Sequence, residues 1–224
     1  MEERTRIKIC CIQSAEEAAL AIRAGAGALG FVSSMPSGPG VIAEELISDI
    51  IASVPEGVET FLLTSLRDPE EIVAQQHRCG ATTIQLVDSV SKDVHEELRV
   101  RLPGVHLVQV VHLTGPSSVD EAVAVARQVD ALLLDSGNPN AAIRELGGTG
   151  RVHDWDLSRA IVKAATVPVY LAGGLNPENV GEAVHRVRPS GIDVCTGVRS
   201  EGKLDESRLK AFVEAVRNAE TVVP

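Results

Sequence analysis

VPVYLAGGLNPENVGEAVHRVRPSGIDVCT, residues 167–196, contains a complete strand–helix–strand unit. A short apolar run at 167–172 leads into two glycines, a helical pattern follows at 176–187, and a second apolar run covers 191–196. Two strands joined through a helix in this way lie parallel, because the helix carries the chain back to the end of the sheet where the first strand began. The stretch therefore predicts one unit of a parallel α/β fold.

The same alternation recurs along the whole chain, residues 1–224, which we interpret as a single domain. The other predicted strands cover 7–12, 27–32, 58–64, 82–87, 106–111 and 130–135. Eight units of about 28 residues each favour closure into a (β/α)8 TIM barrel with parallel strands. The alternative is an open doubly wound sheet, which usually carries a G-x-G-x-x-G turn after its first strand, but CIQSAEE (11–17) stands there instead.

Helix starts and one long loop add detail to this fold. Ser14 with Glu17 forms a capping-box pattern, and Asp68 before Pro69 is typical of a helix N-terminus. The glycine-rich stretch 136–154 separates the sixth strand from its helix. In a barrel this loop lies at the C-terminal face, so we predict that it serves the active site.

Composition excludes several classes of partner. The chain has 31 acidic and 21 basic residues, a net charge of −10 and 2% aromatic residues, which disfavours binding to nucleic acid. No apolar run reaches the roughly 18 to 20 residues that span a bilayer, so no membrane partner is expected. The opening MEERTRIKIC lacks the apolar stretch of a signal peptide, and we therefore expect a cytoplasmic protein.

The four cysteines, Cys10, Cys11, Cys79 and Cys195, do not make a disulfide framework in a chain of this size. Cys10 and Cys11 are adjacent, which predicts that their side chains point to opposite faces of the first strand. Since CxxC and HxxxH spacings are missing from the sequence, no structural metal is expected.

Active sites of such barrels are built at the C-terminal ends of the strands. The residues at these ends are Cys10, Gln85, Asp88, His112, Asp135, Gly173, Gly174, Thr196 and Gly197. The last four close the seventh and eighth strands, where small residues let backbone N–H groups approach a phosphate. We interpret these glycine turns as a phosphate cradle, with the alternative that the glycines only ease tight turns.

Cys10 and Asp135 are the predicted proton-transfer groups. A thiol becomes a useful base when its surroundings lower its pKa, and a carboxyl becomes a useful acid when a dry pocket raises its pKa. Such a pair suits an isomerisation by proton transfer. The alternatives are a buried structural thiol for Cys10 and a helix cap or loop turn for Asp135.

The remaining histidines carry less information. His112 ends the fifth strand near the predicted mouth, whereas His77, His95 and His185 fall in helical stretches. We predict that these three face solvent.

Seven stretches carry a family resemblance. They are KIC (8–10), AGAGALGFV (24–32), IQL (84–86), LLLDS (132–136), GGTGRVHDW (147–155), VPVYLAGGLNPENV (167–180) and VRPSGIDVCTGVRSEGKLD (187–205). On these residues the chain resembles phosphoribosylanthranilate isomerase, the (β/α)8 enzyme of the tryptophan pathway. The resemblance implies a cofactor-free Amadori rearrangement of N-(5-phosphoribosyl)anthranilate, a small phosphosugar substrate, to the 1-deoxyribulose phosphate, in a monomer or homodimer.

The resemblance also implies roles for particular residues. Cys10 would be the base that removes the C2′ proton, and Asp135 the acid that protonates the furanose ring oxygen. Substrate-binding positions would be Gln85, Gly148, Thr149, Gly150 and Arg151, with Gly148 to Gly150 in a closing loop. Phosphate-binding positions would be Gly173, Gly174, Thr196 and Gly197.

Four departures separate this chain from the family pattern. Cys11 replaces the glycine of KICG, the third strand ends in FLLT, and QLVD (85–88) stands where QLHG is usual. Pro39 stands where the family carries an arginine that meets the anthranilate carboxylate. Proline supplies no donor for a carboxylate, so we name Arg151 as the residue that could replace the arginine.

Three other functions stay open at this point. One is a related phosphosugar isomerase with a different substrate, and another is a non-catalytic phosphosugar-binding barrel. An indole-glycerol-phosphate synthase fits worse, because that chemistry needs a lysine at a strand end and only Lys8 is close to one.

Overall fold

The structure, a computed structural model, describes residues 4–36, 38–137 and 153–221. The barrel strands are β1 (Arg6–Ile9), β2 (Ala28–Val32), β3 (Glu59–Thr64), β4 (Thr83–Leu86), β5 (His106–His112), β6 (Ala131–Asp135), β7 (Val169–Leu171) and β8 (Gly191–Val194). The helices are α1 (Ala15–Ala24), α2 (Glu44–Ala52), α3 (Pro69–Cys79), α4 (Lys92–Arg101), α5 (Ser117–Val125), α6 (Trp155–Ala164), α7 (Val180–Val187) and α8 (Glu206–Thr221). A 3-10 turn (Thr196–Val198) and a hairpin of β9 (Arg199–Ser200) and β10 (Lys203–Leu204) precede α8.

The eight parallel strands close into a barrel in chain order, and β8 pairs back onto β1. The predicted TIM barrel is confirmed, with one helix after each strand. None of the helices within the described ranges is long and apolar enough to cross a membrane.

Two apolar layers hold the barrel together. Alternate residues of the strands point outward, so that Ile7 and Ile9 of β1 pack among residues of the surrounding helices. The barrel interior holds a second cluster that includes Phe61 and Tyr170, whose rings meet edge to face with centroids 5.8 Å apart. The filled interior leaves the C-terminal ends of the strands as the place for a pocket.

The helix starts predicted at Ser14 and Asp68 are confirmed, whereas the helix predicted from residue 176 begins at Val180, after a turn. The Ser14 hydroxyl accepts the N–H of Glu17, and the Glu17 carboxylate reaches back to accept the N–H of Gln13 at 3.1 Å. The Asp68 carboxylate accepts two N–H groups of the first turn of α3, with Pro69 at the first helical position. Each cap satisfies donors that have no partner within the helix.

The prediction that His95 faces solvent is wrong. The ring lies on the inner face of α4, is 1% exposed, and contacts the side-chain oxygens of Gln109 and Gln128 at 3.1 Å each. Burial lowers the pKa of His95. The helical pattern alone does not reveal that two glutamines make this buried position polar.

Acid should weaken the fold through buried histidines. Burial lowers the pKa of His153 from 6.5 to about 4, while its ring contacts the Ser158 hydroxyl at 2.7 Å. The unfolded chain therefore takes up this proton first as the pH falls. The wild-type protein should therefore lose unfolding free energy as the pH falls from about 6.5 to 4. We expect this loss to be about 1–2 kcal/mol smaller in His153→Gln, which keeps a hydrogen-bonding group. Urea unfolding at several pH values measures it.

The same change at an exposed position of α3, His77→Gln, is the matched control. An equal pH dependence of the unfolding free energy in wild type and His153→Gln would contradict the assignment.

Candidate active site

One pocket opens at the C-terminal ends of the strands. The described residues that line it are Cys10, Cys11, Val32, Met35, Gly38, Pro39, Leu63, Gln85, Val87, Leu133, Asp135, Ala172, Gly173, Gly174, Leu175, Asp193, Val194, Cys195 and Thr196. They come from the barrel strands and from the loops that follow them, because the parallel strands deliver all their C-terminal ends to one rim.

Most of the residues predicted for the site meet in this pocket. Its lining includes the proposed acid and base and four further predicted residues, namely Gln85, Gly173, Gly174 and Thr196. Gly197 lies directly behind Thr196 in the 3-10 turn. The predicted residues Gly148, Thr149, Gly150 and Arg151 lie outside the described part of the chain.

Asp135 ends β6 and is 7% exposed. Its Oδ1 accepts the backbone N–H of Ser136 at 2.7 Å. Burial raises the pKa of Asp135; the Asp193 carboxylate adds to the rise, while the Ser136 N–H and nearby His112 oppose it. A carboxyl with a raised pKa keeps its proton to higher pH, which is the state that a general acid requires.

His112 is paired with Asp135 in the β5–β6 register, and a hydrogen bond fixes its ring. Its Nε2 lies 3.0 Å from the Val87 carbonyl oxygen, so this nitrogen carries the proton. Its buried Nδ1 has no hydrogen-bond partner within the described residues.

Cys10 follows β1 and is 5% exposed. Burial raises the pKa of its thiol to about 11, against the lowering effects of the Lys8 ammonium and of a backbone hydrogen bond at Cys11. The Asp193 carboxylate adds to the rise. The thiol is thus mostly protonated at neutral pH, and the charges beside it decide how much thiolate is available.

The two glycine turns after β7 and β8 are packed against each other. Gly173 and Gly174 have φ values of 84° and 64°, a conformation that residues with a Cβ rarely adopt. A Cβ at Gly197 would overlap the carbonyl oxygen of Leu175, in the loop after Gly174. The Asn179 side chain fixes that loop by donating to the Gly174 carbonyl oxygen at 3.0 Å.

Cys11 departs from the predicted strand geometry. β1 ends at Ile9, and Cys11 has a φ of 63°, in the left-handed region that non-glycine residues rarely occupy. The prediction that Cys10 and Cys11 point to opposite faces is therefore wrong, since both side chains are buried and line the pocket. The Arg199 guanidinium holds this turn by donating to the Cys11 carbonyl oxygen.

A disulfide bond joins Cys11 to Cys195. It links the segments that follow β1 and β8, one residue from Cys10 and one from Thr196. Sequence reasoning missed this bond because pairing depends on which strands become neighbours when the barrel closes, and spacing along the chain does not reveal that.

The loop after β2 brings Pro39 to the pocket wall. Next to it, Gly40 packs so closely on Cys11 that an added Cβ would lie 2.5 Å from the Cys11 Cβ. The lining residues within the described ranges include neither lysine nor arginine. The described lining residues around Pro39 therefore offer no cationic side chain to a carboxylate.

Part of the pocket lining is apolar. It includes Val32 of β2, Leu63 of β3, Val87 directly after β4 and Leu133 of β6, and all four are buried. An apolar lining of this kind suits an aromatic ring. Val87 belongs to the QLVD departure, so that departure contributes an apolar residue to the lining.

Sequence reasoning also missed Asp193, which lines the pocket floor. It lies in the middle of β8, opposite Lys8 in the middle of β1, and both side chains are almost completely buried. The sequence contained a signal for this pair. The predicted first strand carries one lysine and the predicted eighth strand carries one aspartate among apolar neighbours, and such charges need a partner when buried.

Among the described residues, no group of three or more histidines, cysteines and carboxylates is arranged to hold a metal ion.

Comparison with known proteins agrees with this geometry. A family model described as N-(5'phosphoribosyl)anthranilate (PRA) isomerase matches residues 7–215. N-(5'-phosphoribosyl)anthranilate isomerase 2 of Methanosarcina mazei is 37% identical over 215 residues, covering 95% of this chain and 94% of that protein.

Solved structures give the same result. A phosphoribosyl anthranilate isomerase in complex with reduced 1-(o-carboxyphenylamino)-1-deoxyribulose 5-phosphate has a TM-score of 0.80 at 26% identity, covering 96% of this chain and 99% of that one. Monomers generated from the dimeric phosphoribosylanthranilate isomerase of Thermotoga maritima have a TM-score of 0.79 at 25% identity, with the same coverage. The chain belongs to the N-(5'-phosphoribosyl)anthranilate isomerase family.

Proposed function

We propose that the protein isomerises N-(5'-phosphoribosyl)anthranilate to the 1-deoxyribulose phosphate product in tryptophan biosynthesis, using acid–base chemistry by its own side chains. The observation that carries this proposal is the placement of Cys10 and Asp135. Both are buried, both line one pocket, and β7 and β8 separate their strands, which leaves room for a sugar between them.

The chemistry assigns one proton transfer to each group. Asp135 donates its proton to the furanose ring oxygen, and the C1′–O bond breaks to give an open-chain iminium. Cys10, as thiolate, removes the C2′ proton, and the released electron pair neutralises the iminium as an enol amine. The enol then loses its hydroxyl proton while C1′ gains one, so that the product is a ketose isomer of the substrate.

The remaining predicted residues bind the substrate. The turns that contain Gly173, Gly174, Thr196 and Gly197 direct backbone N–H groups to the phosphate, and Gln85 faces the sugar with a side-chain oxygen that has no partner among the described residues. The resemblance also implies substrate contacts at Gly148, Thr149, Gly150 and Arg151, which lie outside the described residues. We place the reaction in the cytoplasm, in a monomer or homodimer; a related enzyme is described as dimeric.

The described residues that line the pocket include neither lysine nor arginine. This supports a second candidate function, the isomerisation of a phosphoribosyl amine that has no carboxylate. Removing one partner of a charge-assisted contact in a buried site typically costs about 2–5 kcal/mol, so a site without the cation would prefer a substrate without the carboxylate.

A direct turnover assay tests the proposal. The purified protein is given N-(5'-phosphoribosyl)anthranilate, and its conversion is followed by fluorescence. We expect turnover in wild type and its loss in Cys10→Ala. Wild-type protein that binds inorganic phosphate without turnover would contradict the proposal and favour the second candidate or a binding role.

A further inference from the structure

A buried ion pair lies directly beneath the proposed base. Lys8 and Asp193 face each other in the β1–β8 register, and Lys8 Nζ donates to Asp193 Oδ1 at 2.9 Å. The Lys8 side chain is 0% exposed and that of Asp193 is 9% exposed. A buried ion pair adds little net stability, because desolvation offsets the attraction between its charges. Its position therefore invites a functional explanation.

The Lys8 ammonium and the Cys10 sulfur share one small space. Both lie over Gly30 of β2, where an added Cβ would be 3.1 Å from Lys8 Nζ and 2.8 Å from the Cys10 sulfur. The face of the Phe61 ring covers the ammonium from another side, with its centroid 5.1 Å from Nζ. Because Gly30 has no side chain, the ammonium can reach the sulfur from below.

The two charges of the ion pair act on different groups of the site: the Lys8 ammonium lies beside Cys10, and the Asp193 carboxylate acts on Asp135. Asp193 lines the floor of the pocket, where its charge acts on Asp135 across the barrel. The positive end lies at the group that must lose a proton, and the negative end acts on the group that must keep one. The titratable groups near Cys10 are Lys8 and Asp193, and those near Asp135 are His112 and Asp193.

We propose that Lys8 is a positioning residue for the isomerisation: its buried ammonium stabilises the Cys10 thiolate that removes the C2′ proton, and Asp193 holds the ammonium beside the sulfur. This inference rests on the proposed function. It assigns a role to a lysine that touches neither the pocket nor the substrate.

Two single variants should change the Cys10 thiol in opposite directions. Lys8→Met removes the positive charge. Asp193→Asn removes the negative charge, while its amide oxygen can still accept from Lys8 Nζ and keep the ammonium beside the sulfur. The folded protein is alkylated with iodoacetamide at neutral pH, and mass spectrometry of its peptides gives the rate at Cys10. Only the thiolate reacts, so the rate follows its abundance.

We expect Cys10 alkylation to be about 3- to 30-fold slower in Lys8→Met and faster by a similar factor in Asp193→Asn. A neighbouring charge shifts a pKa by about 1–3 units, and the higher nucleophilicity of a more basic thiolate offsets part of that shift. A purely structural ion pair would change both variants in the same direction, since either loss loosens the same contact.

Cys79 provides the internal control. It is the other free thiol, buried on α3, and Glu44, Glu45 and Arg78 are the charges around it. A loosened fold would expose both thiols, so the ratio of Cys10 to Cys79 alkylation is the readout. Lys8→Met leaves the Asp193 carboxylate without its partner, and Asp193→Asn leaves the Lys8 ammonium without a counter-charge, so both variants lose stability. If one of them does not fold, the other decides alone.

An unchanged or lower ratio in Asp193→Asn overturns the proposal, as does an unchanged or higher ratio in folded Lys8→Met. Alkylation needs no substrate, so the result stands apart from the turnover assay. Failure of the isomerase function and failure of the Lys8 role are therefore distinguishable.

Discussion

Replacing Asp135 by asparagine is expected to lower turnover of N-(5'-phosphoribosyl)anthranilate by about 10²- to 10⁴-fold, the usual contribution of a general acid. The amide cannot donate an acidic proton to the ring oxygen. The fold should survive, because the asparagine oxygen can still accept the Ser136 N–H that Asp135 accepts now. Steady-state kinetics with fluorescence detection measures the loss, which should fall on kcat with a small change in KM.

Asp88→Asn is the matched control for this substitution. Asp88 is also 7% exposed, also precedes a serine, and accepts the N–H of Ser89 at 3.0 Å, as Asp135 does with Ser136. We expect this variant to keep turnover within a few-fold of wild type. Near-wild-type activity in Asp135→Asn would remove Asp135 from the mechanism.

The pH profile follows from the same two groups. The active state needs Asp135 protonated and Cys10 as thiolate, although the thiol has the higher pKa, about 11. The fraction of enzyme in this state is the product of the protonated fraction of Asp135 and the thiolate fraction of Cys10. This product rises with pH up to the raised pKa of Asp135 and is constant between the two pKa values. Only a small fraction of the enzyme is therefore in the active state at neutral pH, which makes the charges of Lys8 and Asp193 important.

The barrel and the rim of the pocket could be predicted because they depend on local patterns. Alternating strands and helices define eight βα units, and parallel strands deliver their ends to one face. That rule brought Cys10, Gln85, Asp135 and the glycine turns to one pocket without any contact information.

What could not be predicted depends on closure of the barrel. The Lys8–Asp193 and Cys11–Cys195 contacts join segments 185 and 184 residues apart, which meet only because β8 pairs with β1. The positive φ of Cys11 was missed because non-glycine residues rarely adopt it, and the only sign was that Cys11 replaces the glycine of KICG. His95 was misplaced because burial of a polar ring depends on partners from β5 and the loop before β6.

The tightest packing at the site lies between the two glycine turns, and it makes the second large prediction. An added Cβ at Gly197 would overlap the Leu175 carbonyl oxygen and lie 3.0 Å from the Asn176 Cα. Both are backbone atoms, so the overlap cannot be relieved by turning a side chain. Gly197→Ala must therefore push the loop after β7 away from the 3-10 turn and separate the N–H groups that we assign to the phosphate.

We expect Gly197→Ala to weaken substrate and inorganic phosphate binding in parallel, by about 10- to 100-fold, the equivalent of one hydrogen bond to a charged group. KM and the inhibition constant of phosphate measure this, and kcat at saturation should fall less because Cys10 and Asp135 stay in place. Gly115→Ala is the control: this loop after β5 has open space at the Cβ position. A folded Gly197→Ala variant with wild-type phosphate affinity would show that the two turns only shape the backbone, because a displaced cradle cannot hold the phosphate equally well.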